Sequence, residues 1–493
     1  MKYVIGLDQS TQGTKALLFN EEGRIVKRAD YAHRQIINAN GWVSHDAEEI
    51  YSNAVRSVST VIEQAGILKK DIAAVGISNQ RETTVAWNKA GNPLDNAIVW
   101  QCARAEDIVK RYADAADTFY HRTGLPFSPY FPAAKMAWLL ENSVHTGDFL
   151  FGTIDSWLLY KLTGGKSFKT DYSNASRTQL FNIHTLKWDD ELLGLLGIPL
   201  NALPEVCDSD SLFGYTDFEG ILDEPVPIRS MMGDSHGALF GQACHEKGMV
   251  KTTYGTGSSI MMNIGEHYLK SSHGLATSLA WSIGGRTEYV LEGNINYTGA
   301  VISWLKDDLK LVQSYSEVNS LPETANAEDT TVIVPAFSGL SAPYWNGGAK
   351  ALICGMSRLT GRPEIVKAAV ESIAFQIADV LSAMEADSDI DIKELRVDGG
   401  PTKNSYLMQF QSDLAGVPVQ VPNMEELSAS GVACLAGIAA DIYDKRGIFK
   451  GISYETYKPK MDERKKQAKY AAWRQALELV LGKVPESINK QEE

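Results

Sequence analysis

Arg229-Ser-Met-Met-Gly-Asp-Ser-His-Gly-Ala-Leu-Phe-Gly-Gln242 is the stretch that decides how this chain reads. Met231 and Met232 lead as an apolar pair into Gly233, and Gly237 opens an apolar, helix-like run. The pattern predicts a strand, a tight turn and a helix start. Asp234 then stands at a strand end beside a helix N-terminus, where backbone dipoles favour negative charge. An ionised carboxylate so placed can accept a proton from a substrate hydroxyl, which makes Asp234 the candidate general base. Two readings compete. Gly233-Asp-Ser-His-Gly237 also fits the Gly-x-Ser-x-Gly elbow of serine hydrolases, which needs a histidine late in the chain; the last histidine of the 493 residues is His273. The plainer alternative is a carboxylate that only caps a helix.

Length and a 44% hydrophobic content predict two or three domains with a large core. A net charge of −14 without a basic run argues against nucleic acid as a partner. The five cysteines are scattered, with no Cys-x-x-Cys and no metal spacing, which fits a reducing compartment. The N-terminus enters a strand at once without a signal-peptide core, and no 18-residue apolar run exists. A cytoplasmic protein with no membrane partner is expected.

From the start, Val4–Leu7 reads as a buried strand ending at Asp8, residues 9–13 as a turn, Thr14–Phe19 and Arg24–Arg28 as further strands. Amides and hydroxyls in such a turn suit phosphate oxygens, and Asp8 suits Mg²⁺ held through water; an ordinary hairpin is the alternative. Asp46 caps a helix to Gly66, and Ile72–Ile77 is a strand ending in the polar cluster Ser78-Asn-Gln-Arg-Glu-Thr83, where open α/β sheets keep their ligands. Ala97–Trp100 repeats that logic. Residues 103–150 read as mostly helical, and Asp171–Arg177 as a polar loop of unreadable purpose. Gly248–Asn263 is again strand, Gly/Thr/Ser turn, strand, echoing Asp8–Phe19. We read an internal repeat: two α/β lobes of one architecture, residues 1–245 and 246–493, gripping a phosphate chain from both sides. Glu394–Asn404 is a strand ending in Asp398-Gly-Gly400, and Tyr454 onward is a charged helical tail, a solvated face covering the second lobe.

Taken together, Gly6-Leu-Asp-Gln-Ser-Thr11, Ser78–Thr83, Asn96–Gln101, Gly152–Trp157, Asp171–Thr178, Tyr254-Gly-Thr-Gly257, Ala342-Pro-Tyr-Trp345 and Leu395–Gly400 carry a resemblance spanning nearly the whole chain. The sequence resembles the FGGY carbohydrate kinases, and among them the glycerol kinases. The resemblance implies two actin-like, ribonuclease H-like lobes around a cleft, and transfer of the γ-phosphoryl of ATP to a polyol or sugar hydroxyl with Mg²⁺. It places Asp234 as general base. It puts Arg81, Glu82, Trp100, Tyr130 and Ser235 with Asp234 at the acceptor. Thr11, Gln12, Gly13, Lys15, Thr256, Gly299, Ser303, Gly400 and Asn404 fall at the nucleotide, and Asp8 at the metal. The family often forms dimers or tetramers, and no feature of this sequence selects either.

Departures from the family pattern bear on the substrate. Gly233-Asp-Ser-His236 stands where glycerol kinases carry Gly-Asp-Gln-Gln, Ser303 where they carry Gln, and Trp100-Gln-Cys102 where they carry Trp-Gln-Asp. Ser235 is shorter than Gln, and a buried polar group left without its partner costs ~1–3 kcal/mol. Acceptors to weigh are therefore glycerol, a four- or five-carbon polyol, and a ketopentose of the xylulose or ribulose kind. A non-catalytic sugar sensor that binds ATP is the alternative of a different class.

Overall fold

The structure is a computed structural model that describes residues 1–144 and 148–482. Buried apolar runs in the first two strands and a largely exposed third build an opening meander of β1 (Tyr3–Gln9), β2 (Gly13–Phe19) and β3 (Ile25–Ala32). Helix α1 (Ala47–Ala65) begins where Asp46 accepts from the amides of Glu48 and Glu49, satisfying two of the donors a helix start leaves free. It leads to β4 (Ile72–Asn79), and much later come β5 (Gly214–Thr216), β6 (Val226–Gly233) and α2 (Asp234–Gly241). These strands form one sheet in the order β5-β6-β4-β1-β2-β3. β4 runs parallel to β1, with Leu7 opposite Ile77, and β6 parallel to β4, with Ile77 opposite Met231. Asp8, Arg81 and Asp234 thus all emerge at the same edge of parallel strands, the edge where such sheets place ligands.

The second half repeats the plan. β7 (Val250–Tyr254), β8 (Ser258–Gly265), β9 (Ala276–Ile283) and β10 (Arg286–Ile295) lead to the short helix α3 (Gly299–Ser303). Then follow α4 (Arg362–Ser388), β11 (Leu395–Gly399), α5 (Ser405–Ala415), β12 (Val419–Pro422), α6 (Leu427–Ala439), β13 (Tyr454–Tyr457) and α7 (Glu463–Val480). The sheet order is β9-β10-β8-β7-β11-β12-β13. Its middle, β10-β8-β7-β11-β12, matches β3-β2-β1-β4-β6 in order and in strand sense. The repeat expected from the two Gly-rich hairpins is therefore present as topology.

The helix after the fifth strand of each unit, α2 and α6, meets its counterpart at backbone distance. A Cβ on Gly431 would stand 1.9 Å from the Gly237 carbonyl oxygen, and one on Gly241 2.5 Å from that of Leu427, so only glycine permits this approach. α6 also lies on the first sheet, its carbonyls pressed against Gly6 and Gly76. Although late in sequence, α6 is a core helix of the first unit.

Three local expectations are corrected. Ala97–Ile98 is a two-residue strand in a separate small sheet with residues 36–37, 43–45, 84–88 and 149–153, not a strand of the main sheet; a short apolar run fits either place. Residues 149–153 form a strand rather than continuing the helical stretch, and 145–147 lie outside the described residues. The tail begins with the edge strand β13, and α7 is not merely a solvated face. Trp473 is fully buried, stacked on Phe375 at 5.2 Å, and its indole donates to Asp379 Oδ2 at 2.8 Å. The end of the expected tail, residues 483–493, lies outside the described residues. Trp473→Ala leaves a cavity and removes one of the donors to the buried Asp379 carboxylate, so thermal and urea unfolding should register a loss of about 3–5 kcal/mol.

Candidate active site

Gly233 ends β6, and its N–H donates to Ser173 Oγ at 3.0 Å, fixing the turn into α2. Asp234 is the first residue of α2; its Oδ1 accepts from the Ser235 amide at 2.6 Å and lies 3.3 Å from Arg81 Nε. Asp234 is about one-third exposed, so the carboxylate is oriented yet reachable. The N-cap of α2 is Gly233, without a side-chain cap bond; the Asp234 carboxylate takes only the adjoining Ser235 amide and remains the candidate base.

Arg81 sits just past β4 and is buried. Its two terminal nitrogens grip Glu292 of β10, at 3.0 and 2.8 Å, the bidentate geometry that guanidinium favours. Glu292 also lies 2.7 Å from Arg177 Nη1, and Arg177 Nε donates to Glu82 Oε1 at 2.6 Å. The polar loop at 171–177 is now legible: Asn174 and Asn79 exchange side-chain amide bonds, and Asp171 caps the short helix Tyr172–Ala175. That scaffold delivers Arg177 to the interface. Burial opposes ionisation of Glu292, but the guanidiniums of Arg177 and Arg81 outweigh it and hold the carboxyl well below its usual range. Glu82 has a left-handed backbone, φ 62°. Such strain in a non-glycine residue persists only where its surroundings fix it, and here the Arg177 bond does so.

The other residues expected at the acceptor include Trp100 and Tyr130. Trp100 and Tyr130 face each other with ring centroids 5.4 Å apart, and the buried ammonium of Lys135 donates to both of their carbonyls. Burial pushes that lysine down to about 7. Trp100 Nε1 donates to Thr11 Oγ1 at 3.0 Å, joining the acceptor side to the first hairpin turn. His236 was not among the expected site residues. It is fully buried with both ring nitrogens unpartnered, and burial with Arg81 and Arg177 nearby keeps it neutral, well below its ordinary value.

Of the phosphate-side residues, Asp8 is buried at the end of β1 and accepts from Ser78 Oγ at 2.8 Å. Burial lifts its carboxyl to about 6, against the pull of Lys15 and Ser78 and with a push from Asp234 and Glu426. Lys15 Nζ is 2.6 Å from Glu426, which also meets Arg28 at 2.6 Å. Gln12 and Gly13 complete that turn in accessible positions. In the second turn the Thr256 carbonyl accepts from the amides of Thr298 and Ala300, and Gly299 N–H donates to Gly255; Thr256 and Gly299 are thus in contact, with Ser303 one turn further along α3. Gly400 is open, with no atom within 4 Å of where a Cβ would stand, whereas the Asn404 side chain is engaged in capping α5. Among the described residues no hydrogen bond or ion pair joins the two turns, and no group of three or more His, Cys, Asp or Glu could hold a metal ion.

The fold and cleft define a two-lobed, actin-type phosphotransferase. Residues 3–241 match the N-terminal domain and residues 250–440 the C-terminal domain of the FGGY family of carbohydrate kinases, and the chain belongs to that family. It is 44% identical over 491 residues to a glycerol kinase of Geobacillus sp. strain WCH70, covering 97% of this chain and 99% of that one. It is also 44% identical over 490 residues to the glycerol kinase of Bacillus subtilis, with the same coverages. The Plasmodium falciparum glycerol kinase solved with ADP superposes with a TM-score of 0.90 at 35% identity, covering 98% of each chain. A xylulose kinase of Lactobacillus acidophilus reaches a TM-score of 0.88 at 22% identity over 97% and 98% of the two chains, a likeness of fold alone. The chain is a glycerol kinase-like, ATP-dependent carbohydrate kinase acting on an alcohol group.

Arg177 and Glu292 were not singled out from sequence. A glutamate inside the apolar strand Tyr289–Ile295 was the available signal. Replacing Glu292 by Gln leaves two buried guanidiniums short of one counter-charge, and stability at pH 7 should fall by about 3–5 kcal/mol. Because the folded carboxyl titrates below its ordinary 4.5, its contribution is present above pH 4.5 and lost as pH falls through the folded value. The stability gap between wild type and E292Q should narrow only in that acid range, as followed by urea titration at stepped pH.

Proposed function

We propose that the chain phosphorylates a small polyol at the site between Asp234 and Tyr130, with glycerol as the reference acceptor, and that the two lobes divide near residues 245 and 246, with α6 returning to the first. The observation that carries this reading is the Asp234–Arg81–Glu292 chain, which ends in an oriented, accessible carboxylate at a strand edge. Asp234 takes the proton from the attacking hydroxyl. Arg81 holds that carboxylate by its Nε edge, and Glu82 with the Trp100 and Tyr130 rings bounds the acceptor. Thr11, Gln12, Gly13 and Lys15 on one side and Thr256, Gly299, Ser303, Gly400 and Asn404 on the other bind the nucleotide; the open Gly400 and the exposed Gly255 and Thr256 suit a close approach to it. Positioning and charge neutralisation supply most of the catalysis in such transfers.

Asp8 fits Mg²⁺. It is a buried carboxylate lifted chiefly by burial, with a lesser push from Asp234 and Glu426, and Mg²⁺ is commonly held by one or two carboxylates with water and phosphate oxygens rather than by a protein cage. When bound there, the ion supplies neutralisation of phosphate charge. Five free cysteines support a reducing, cytoplasmic setting, and among the described residues no helix is long and apolar enough to cross a membrane.

Asp234→Asn should lower kcat by at least a hundredfold while ATP affinity, read by calorimetry, stays within a few-fold; near-normal turnover would remove Asp234 from the role. Asp8→Asn tests the metal side. The folded carboxyl titrates near 6 against an ordinary 3.8, so its ionisation opposes folding as pH rises through that interval. D8N should therefore melt higher than wild type above pH 6, lose that advantage below pH 3.8, and show little Mg²⁺-dependent turnover. Wild-type kcat/KM should decline as pH drops through about 6.

A further inference from the structure

Beside the acceptor residues the cleft widens into a cavity of about 300 Å³. Tyr130 and Arg177 bound it from the first half, and Glu292, Asn294 and Asn296 from the second. Alternation along β10 and the residue after it brings the last three to one face. Much of the polar lining is already engaged. Glu292 is held by two guanidiniums, Ser341 Oγ donates to the Asn294 carbonyl at 2.5 Å, and Ser338 pairs with the Tyr297 hydroxyl. The side-chain amides of Asn294 and Asn296 and the hydroxyl of Tyr130 are different: each borders the cavity and takes no side-chain hydrogen bond from another described residue.

Three unengaged polar ends around a space worth about ten waters, at roughly 30 Å³ each, select for chemistry. An apolar occupant would strand them, at ~1–3 kcal/mol for each group left unpaired. An anionic occupant would need a spare cation, and Arg81 and Arg177 are both matched by Glu292 and Glu82. Hydroxyl groups, each donor and acceptor, satisfy amides and phenol without bringing charge. We propose that this cavity is a subsite for the distal hydroxyl-bearing carbons of a neutral four- or five-carbon polyol whose reacting hydroxyl lies at Asp234. The assignment rests on the kinase reading and adds the acceptor class to it. Asn294 and Asn296 are its specificity-determining residues.

The test is steady-state ADP release by the full chain with glycerol, erythritol, threitol, ribitol, arabitol and xylitol, for wild type, Asn294→Leu and Asn296→Leu. Wild type should use at least one longer polyol with a higher kcat/KM than glycerol. Each Leu variant should lower the ratio of that kcat/KM to the glycerol value tenfold or more, mainly through KM. A wild type that prefers glycerol over every longer polyol overturns the subsite, as do variants that lose both acceptors in proportion. The exposed Asn296 provides a substitution that spares the core if N294L folds poorly. Failure with every acceptor, glycerol included, while ATP still binds would instead sink the kinase reading, and the subsite with it.

Discussion

A carboxylate that cannot be buried alone organises this molecule. Glu292 lies on an inner strand of the second half with its side chain wholly out of solvent. An isolated ion there would cost several kcal/mol. Its counter-charges, Arg81 and Arg177, both come from the first half. The two halves are thus pinned to each other by charge balance at one point. The same pin sets the chemistry, because the guanidinium that satisfies Glu292 turns its remaining edge to Asp234 at 3.3 Å. Orientation of the Asp234 carboxylate is a by-product of neutralising a charge on the opposite lobe.

That pin requires the backbones to come close first, and the glycines of α2 and α6 arrange this. The contact of Gly237 with Gly431 leaves no room for any side chain, and Ser428 Oγ closes it by donating to the Asp234 carbonyl at 2.9 Å. The start of α6 is thereby fixed against the start of α2. Glu426, in a left-handed conformation at φ 57°, is carried to Lys15 and Arg28. A carboxylate contributed late in the chain thus completes the ion pairs of the first hairpin, and α6 belongs structurally to the sheet on which it lies.

The elements legible in the sequence were those governed by local rules. The hairpins at Asp8 and Gly255, the Asp46 cap and the turn into α2 follow from hydrophobic period and turn chemistry, and each stands where it was expected. The repeat was legible too, because two hairpins of like composition recur. What was not legible depends on residues far apart in sequence. Glu292 meets Arg81 across 211 positions and Lys15 meets Glu426 across 411; no window of sequence holds both partners. The charges around Trp473 dominate the local pattern, so a tail covering the second lobe is legible but the burial of this one indole is not, because its partner Phe375 lies in α4. The strand at 97–98 failed for a further reason: its apolar run suits a main sheet and a side sheet equally.

The phosphate side of the cleft is a region of unspent negative charge in the ligand-free chain. Burial, with a lesser push from Asp234 and Glu426, lifts the Asp8 carboxyl to about 6, and Lys15 answers only in part because Glu426 already engages it at 2.6 Å. A polyanion entering that space would add to the repulsion. It is admitted only together with a cation, or by drawing Lys15 away from Glu426, and the Arg28 contact leaves Glu426 a partner when that happens. The acceptor side is the reverse: its guanidiniums are fully matched and its free groups are amides and hydroxyls. One edge of a single sheet therefore carries two neighbouring environments, one that demands positive charge and one that refuses any, and Asp234 stands between them.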